Sequence, residues 1–392
     1  MKIPNKMKAI VYILILSCFC YAETQLDTFG IVKFYPAKAA TREWNSAHWN
    51  NGISRTFSYA SDPYDPTGWT EDHSGGTDGF RIDGNGIMQM SGTGPRFHIN
   101  SLIDNKVPAQ KYRDIEFTAY YRRHGTDGAS WGGMVVGLRS GPLGHGSPGG
   151  DNCDATTYYA RFRNDGKWDF EKELKHPGSD YWSGSGFHKQ DPLWNEAPLP
   201  LNRWIGMKFL VYNIMNNTQV KLELYIDSVS NGDPQDGVCW EKVGEVIDSG
   251  AWPSGDVSGC NYPDNMVITE GGGTALMRTD NDTADYKMVS IREIDVSGIT
   301  GIKQFHISNT RAKRFRVLNQ GTSLYLKFFN PLRKTVPYAI TDIRGHRLIS
   351  GNFSSGSCNA LIRLHCRGVC LLRIGTSSDI MVEKVMIIQD GI

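Results

Sequence analysis

After the first two dozen residues the chain has no apolar run that could span a hydrocarbon core of about 30 Å, so no transmembrane segment is expected. It lacks an apolar stripe at helical period, which argues against bundles and coiled coils. It also lacks repeats at solenoid or propeller spacing and any low-complexity tract. Charged residues reach only 21% while aromatics reach 11%, a balance that excludes an intrinsically disordered chain. Tryptophan is missing after Trp252, although all ten lie between Trp44 and that position. Acidic residues are scarce in the same region: residues 300–392 hold 14 Lys and Arg but 4 Asp and Glu, whereas residues 1–299 hold 28 and 37. A net charge of +1 thus conceals an acidic part and a basic part.

What is present first is an export signature. Lys2, Lys6 and Lys8 precede the apolar run Ala9 to Phe19, and Cys20-Tyr21-Ala22 precedes Glu23. That order reads as a signal peptide over residues 1–22, cleaved after Ala22. Ile15-Leu16-Ser17-Cys18 also reads as an imperfect lipoprotein box in which Cys18 would carry lipid. The expected mature protein is secreted or attached to the cell surface, and it is expected to be a monomer. Six cysteines remain: Cys153, Cys239, Cys260, Cys358, Cys366 and Cys370. An oxidising compartment favours disulfides, with pairing expected inside each part. Only His365 accompanies Cys366 and Cys370, so no zinc site is expected.

Short alternating runs separated by Gly, Asn, Asp and Pro fill both parts. They include Phe80 to Asp83, Ile87 to Ser91, Arg96 to Asn100, Asp114 to His124, Trp131 to Arg139, Tyr158 to Arg163, Lys167 to Lys175, Arg203 to Asn213 and Gln219 to Asp227. Alternation at period two marks half-buried strands, so the fold class is all-β, a sandwich. The composition shift near Ser297-Gly298 and Thr300-Gly301 divides the mature chain into domains 23–299 and 300–392.

In Asp114 to His124, Ile115, Phe117, Ala119 and Tyr121 form the packing set, leaving Glu116, Thr118, Tyr120 and Arg122 opposite. In Trp131 to Arg139, Met134, Val136 and Leu138 pack, and Gly133, Val135, Gly137 and Arg139 suit a groove floor. Around Asn164-Asp165-Gly166, a two-residue turn would bury Arg161 and Arg163 among aromatics, at a high desolvation cost. A three-residue loop with left-handed Gly166 instead aligns Tyr158, Ala160 and Phe162 with Trp168, Phe170 and Leu174. The other face then carries Tyr159, Arg161 and Arg163 beside Asp169, Glu171 and Glu173, with His176 at its end. Flat rings offer a sugar an apolar platform, and charged or amide groups bond its hydroxyls, so polysaccharide is the expected partner. Candidate substrate contacts are Arg96, Glu116, Tyr120, Tyr181, Trp182 and Trp194.

Several blocks resemble an uncharacterised group of secreted β-domains in the concanavalin A-like lectin/glucanase superfamily. They are Gly94-Pro95-Arg96, Ile115 to Tyr120, Lys172 to His176, Trp204 to Phe209, Lys221 to Tyr225 and Ser290 to Ile294. The resemblance implies a jelly roll whose concave face binds or cleaves polysaccharide. Residues 300–392 are similar to C-terminal sorting domains of type IX secretion in Gram-negative bacteria. Tyr338 to Gly345, Leu361 to Leu364, Val369 to Ile374 and Val382 to Val385 carry that similarity, with Cys370 where an aromatic is commoner. It implies a small β-sandwich that engages the export machinery.

Two enzymatic readings and one binding reading follow. A lyase on a uronic-acid glycan needs a cation against the sugar carboxylate, offered by Arg122, Arg139 or Arg161, and a base, offered by Tyr159, Tyr120 or His176. A glycoside hydrolase would draw two carboxylates from Asp169, Glu171 and Glu173. A binding module or adhesin needs only the face itself. Gly128-Ala129-Ser130-Trp131-Gly132 joins two strands and is no nucleophile elbow. Gly271-Gly272-Gly273 lacks the Lys-Ser/Thr of a phosphate loop. No cofactor is required, although Asp280-Asn281-Asp282 offers hard oxygens for a structural Ca²⁺. The scattered basic residues of the tail match no nucleic-acid motif.

Overall fold

A computed structural model describes residues 26–41, 43–56, 60–61, 69–74, 79–103, 107–108, 112–126, 130–141, 151–194, 198–234, 240–280, 282–297, 315–320, 323–328, 332–342, 346–357, 359–363, 368–375 and 381–387. The signal segment, Cys18, Cys239, Cys358, Cys366, Asn281 and the boundary at 298–300 lie outside the described residues.

Two antiparallel sheets face each other. In the first, Glu241–Asp248, Gln219–Asp227, Ile205–Ile214, Ile115–Thr126, Asp282–Glu293, Met88–Ser91, Gly79–Ile82 and Arg55–Thr56 lie side by side in that order. In the second the order is Gly186–Phe187, Gly178–Ser183, Lys167–Lys175, Thr157–Arg163, Gly133–Ser140, Thr274–Arg278, Arg96–Ile103, Trp69–Ser74 and Ala60–Ser61. The chain passes from one sheet to the other between Ile115–Thr126 and Gly133–Ser140. Spatial neighbours such as Gly133–Ser140 and Thr274–Arg278 therefore come from distant sequence. This is a jelly-roll sandwich, all-β as the alternation predicts.

Alternate residues of both sheets meet in one core. Phe117, Met207, Phe209, Leu222 and Ile291 come from the first sheet, and Phe97, Met134, Val136, Phe162, Phe170 and Met277 from the second. The rings of Phe170 and Phe209 close the gap between sheets, with centroids 5.9 Å apart. A charged tie also crosses between the sheets. Lys172 Nζ reaches Asp248 Oδ2 at 2.8 Å and the Trp252 carbonyl at 2.9 Å, and the Tyr158 hydroxyl donates to the same Asp248 oxygen at 2.6 Å.

The hairpin follows the three-residue-loop register. Phe162 opposes Trp168, Ala160 opposes Phe170 and Arg161 opposes Asp169, while Gly166 has φ +79° and donates its N–H to the Arg163 carbonyl. The Cys153–Cys260 disulfide lies within the acidic part, as expected of pairing inside each half.

The basic part forms two smaller sheets. One orders Phe315–Gln320, Ser323–Phe328 and Asn359–Arg363, and the other orders Arg347–Phe353, Val336–Asp342, Gly368–Ile374 and Met381–Ile387. Leu324, Leu326, Phe328, Ile340, Phe353, Ile362, Cys370, Leu372 and Ile374 form their own core, a second and smaller β-sandwich.

Candidate functional site

The outward face of the second sheet is arranged in rows by strand register. Arg96, Arg278, Val135, Arg161 and Asp169 follow one another across five neighbouring strands. The adjoining row runs His98, Leu276, Gly137, Tyr159, Glu171, Tyr181. A third leads from Asn100 and Thr274 through Ser140 and Thr157 to Glu173.

Gly137 makes room at the centre. A Cβ there would lie 2.8 Å from Tyr159 Cε1 and 2.9 Å from Leu276 Cγ and Thr157 Cγ2, so only hydrogen lets the tyrosine ring lie over the strand. The Tyr159 hydroxyl donates to Glu173 Oε2 at 2.9 Å, and Glu173 Oε1 lies 3.0 Å from His176 Nδ1. Tyr159 is fully buried, while His176 keeps 39% of its side chain exposed. Burial, reinforced by the Glu173 charge, pushes the Tyr159 phenol well above its usual range. Position 176 is anchored from behind. Its N–H donates to the Asn152 carbonyl at 3.0 Å, the neighbouring Cys153 is disulfide-bonded, and the Tyr262 hydroxyl lies within hydrogen-bond distance of the Cys153 and Leu174 carbonyls.

Arg161 is saturated. Its Nε and Nη2 grip both oxygens of Asp169 at 2.5 and 2.8 Å, and its Nη1 reaches Glu171 Oε2 at 2.7 Å. Gln190 adds a 2.9 Å bond to Asp169. Burial opposes the guanidinium charge, but Asp169 and Glu171 outweigh it and hold Arg161 protonated beyond its ordinary range. The Tyr181 ring lies beyond, 6.0 Å from the guanidinium.

Arg96 differs. Its Nη1 makes only a 3.4 Å contact to the Gly94 carbonyl, and its buried Nε has no hydrogen-bond partner among the described residues. Burial, then the like charge of neighbouring Arg278, pulls its pKa down, while Tyr159, Asp280 and Glu173 pull it up. Arg278 in turn bonds Asp280 at 3.0 Å. Two arginines therefore stand side by side, and Asp280 hydrogen-bonds only the second of them.

Several residues that the sequence groups with this face lie elsewhere. Glu116, Tyr120 and Arg122 project from the first sheet, on the opposite side of the sandwich. There Glu116 holds Lys208 at 2.9 Å and Arg292 at 2.7 Å, Tyr120 donates to Asp227 at 2.7 Å, and Arg122 grips Asp285 at 2.5 Å. Alternation decides which residues share a face of one strand, and it says nothing about which sheet receives the strand. Arg139 does not floor a groove. The ladder shifts register between Gly137 and Ser140, and Arg139, at φ +57°, is fully buried against Asn213 Oδ1 and the Ile268 carbonyl, each at 2.7 Å. Burial lowers its pKa to about 10. Trp182 stacks at 6.3 Å on Phe170, and Trp194 packs on the same core, each half-buried. Tyr159 is held as a phenol and not as a base. Arg161, bound by two carboxylates, does not stand ready for a third.

Arg278 lies on this face beside Arg96, a position the sequence reading missed. Its strand alternates Thr274, Leu276 and Arg278 against Ala275 and Met277, but only the pairing with Arg96–Ile103 puts it beside Arg96. Asp280 and Asp282 turn to separate partners, Arg278 and Tyr121. Among the described residues no three His, Cys, Asp or Glu side chains gather as a metal site. No described helix is long and apolar enough to cross a membrane.

No family model matches this chain, and no curated protein matches it. Similar solved structures include arcelin-5, a lectin-like defense protein from Phaseolus vulgaris, at 9% identity over 61% of this chain and 96% of that one, with TM-score 0.31. The carbohydrate recognition domain of Emp46p is 12% identical over 63% and 99%, with TM-score 0.33. The alginate lyase vAL-1 from Chlorella virus is 11% identical over 61% and 100%, with TM-score 0.30. These overlaps are shallow, and the chemistry of the face rests on its own side chains.

Proposed function

We propose that the outward face of the second sheet takes an acidic polysaccharide and cleaves it by β-elimination. The observation that carries this reading is a linked proton network, Tyr159–Glu173–His176, within electrostatic reach of a neighbouring arginine pair, Arg96 and Arg278.

In this reading Arg96, flanked by Arg278, takes the uronate carboxylate and acidifies the adjacent C5 proton. With Nδ1–H donated to Glu173, His176 Nε2 is the nitrogen that accepts that proton. The freed electron pair forms the C4=C5 bond, the C4–O bond breaks, and the departing oxygen takes the proton that His176 Nε2 has gained, which restores the neutral imidazole. Glu173, held in turn by the buried Tyr159 hydroxyl, keeps the imidazole in that tautomer and orientation. No water is consumed. The hydrolase reading is weaker, because Asp169 and Glu171 are both held by Arg161. Export through the segment 1–22 and through a sorting domain over 300–392 completes the proposal, on the sequence patterns alone.

The test is incubation of the purified chain with a polyuronate. Cleavage that creates ultraviolet-absorbing unsaturated ends, and that is lost in Arg96→Ala and His176→Ala, supports the lyase. New reducing ends without that absorbance would mean hydrolysis, and retention of glycan with neither would mean a binding module.

A further inference from the structure

The smaller sandwich carries a trough that the lyase reading does not use. It lies on the outward face of the sheet containing Val336–Asp342, on the side away from the core formed by Ile340, Leu372 and Ile374. Its cavity volume is about 440 Å³. Small residues make its floor. Ala339 lies between Ser350 and Arg373 in the ladder, and Gly351 is beside Tyr338, where a Cβ would lie 2.8 Å from the ring. Arg347 and Arg373 are both exposed and both line it, and among the described residues no acidic side chain does. Neither arginine meets a carboxylate among the described residues. The polar groups between them are Thr341, Ser350 and Asn352. Thr341 is only 7% exposed, yet its hydroxyl has no hydrogen-bond partner among the described residues. A buried hydroxyl left without a partner costs stability unless a ligand or water meets it.

We infer that this trough is an anionic-carbohydrate site, with Arg347 and Arg373 engaging acid groups of a sugar chain and Thr341, Ser350 and Asn352 its hydroxyls. Guanidinium groups pair bidentately with carboxylates or phosphates, and interleaved hydroxyl and amide groups suit a sugar ring better than a bare ion. The charge of the chain fits this division of labour. The acidic domain, at −12 after residues 1–22, opposes long-range attraction of a polyanion, and residues 300–392, at +10, favour it. The inference deepens the acidic-polysaccharide reading by giving capture and cleavage separate sites.

The experiment measures binding by calorimetry with the full chain carrying Arg96→Ala, so that the face on the large sheet is disabled and the trough is read alone. Probes are oligomeric polyuronate, a sugar-phosphate oligomer, a neutral oligosaccharide of equal length and inorganic phosphate. Polyuronate or sugar-phosphate binding that weakens about tenfold or more with Arg347→Ala plus Arg373→Ala, and that also weakens with Thr341→Val, supports the site. Which of the two oligomers binds tells a carboxylate sugar from a phosphate sugar. Equal binding with and without the two arginines, no binding of either acidic oligomer, or inorganic phosphate matching the oligomers would overturn it. Absence of unsaturated product in the lyase assay bears on the other site and leaves this result intact.

Discussion

Glu173 serves Tyr159 and His176 together: one carboxylate oxygen accepts the phenol hydrogen at 2.9 Å, and the other lies 3.0 Å from the imidazole Nδ1. Tyr159→Phe removes the hydrogen bond to Glu173 and leaves the ring over Gly137. Turnover of polyuronate should fall about 10²-fold with little change in KM, as for loss of a group that positions a catalytic one. Unchanged turnover would show that Glu173 and His176 keep their places without it.

Gly137 gives a second handle on the same tyrosine. Gly137→Ala puts a carbon 2.8 Å from its ring and should displace it from Glu173. A folded protein less stable by about 1–3 kcal/mol, with turnover lost as in Tyr159→Phe, is the expected result. Circular dichroism melts and the absorbance assay check it, and full activity in the alanine variant would remove the positioning role.

Arg161 is expected to matter for stability. Removing it leaves Asp169, which has no exposed surface, and the largely buried Glu171 without their cation. Arg161→Ala should lose about 3–5 kcal/mol in denaturant titration, the usual penalty for breaking a buried pair. Replacing both partners, Arg161→Met with Asp169→Leu, should recover part of that loss. If the single variant keeps wild-type stability but loses turnover, Arg161 belongs to the chemistry after all.

Glu116 predicts a pH effect on the opposite sheet. Burial favours its neutral form, but Lys208 and Arg292 outweigh that and hold its pKa below the ordinary 4.5. The unfolded chain therefore binds the proton more readily, and stability rises with pH through this window. The contribution of Glu116 is fully present above the ordinary value and fades as pH falls through 4.5 toward the folded value. Glu116→Gln should cost stability at neutral pH and flatten the acid limb of stability against pH. An unchanged acid slope would place the ion cluster outside that transition.

Much of the local structure was legible because alternation is a property of single strands. Lys167–Lys175 and Gln219–Asp227 match their sequence-derived runs residue for residue. The loop at Asn164-Asp165-Gly166 was readable because the competing register would have buried arginines among aromatics. The same logic failed at Arg139, where one register shift reversed the side chain. It failed again for Glu116, Tyr120 and Arg122, whose strand joined the other sheet.

The amino-acid pattern alone established an all-β chain, the inward and outward sets of its principal strands, and the hairpin that displays Tyr159, Arg161, Asp169, Glu171 and Glu173 together. Each of these follows from the two-residue period and from the cost of burying charge, which act within a few residues. Only the tertiary structure decided that Arg278 stands beside Arg96, that Arg161 is saturated by two carboxylates, and that Arg139 lies in the core. The first depends on pairing between strands more than a hundred residues apart, the second on which carboxylates of the hairpin the guanidinium reaches, and the third on a bulge, and the two-residue period marks none of them.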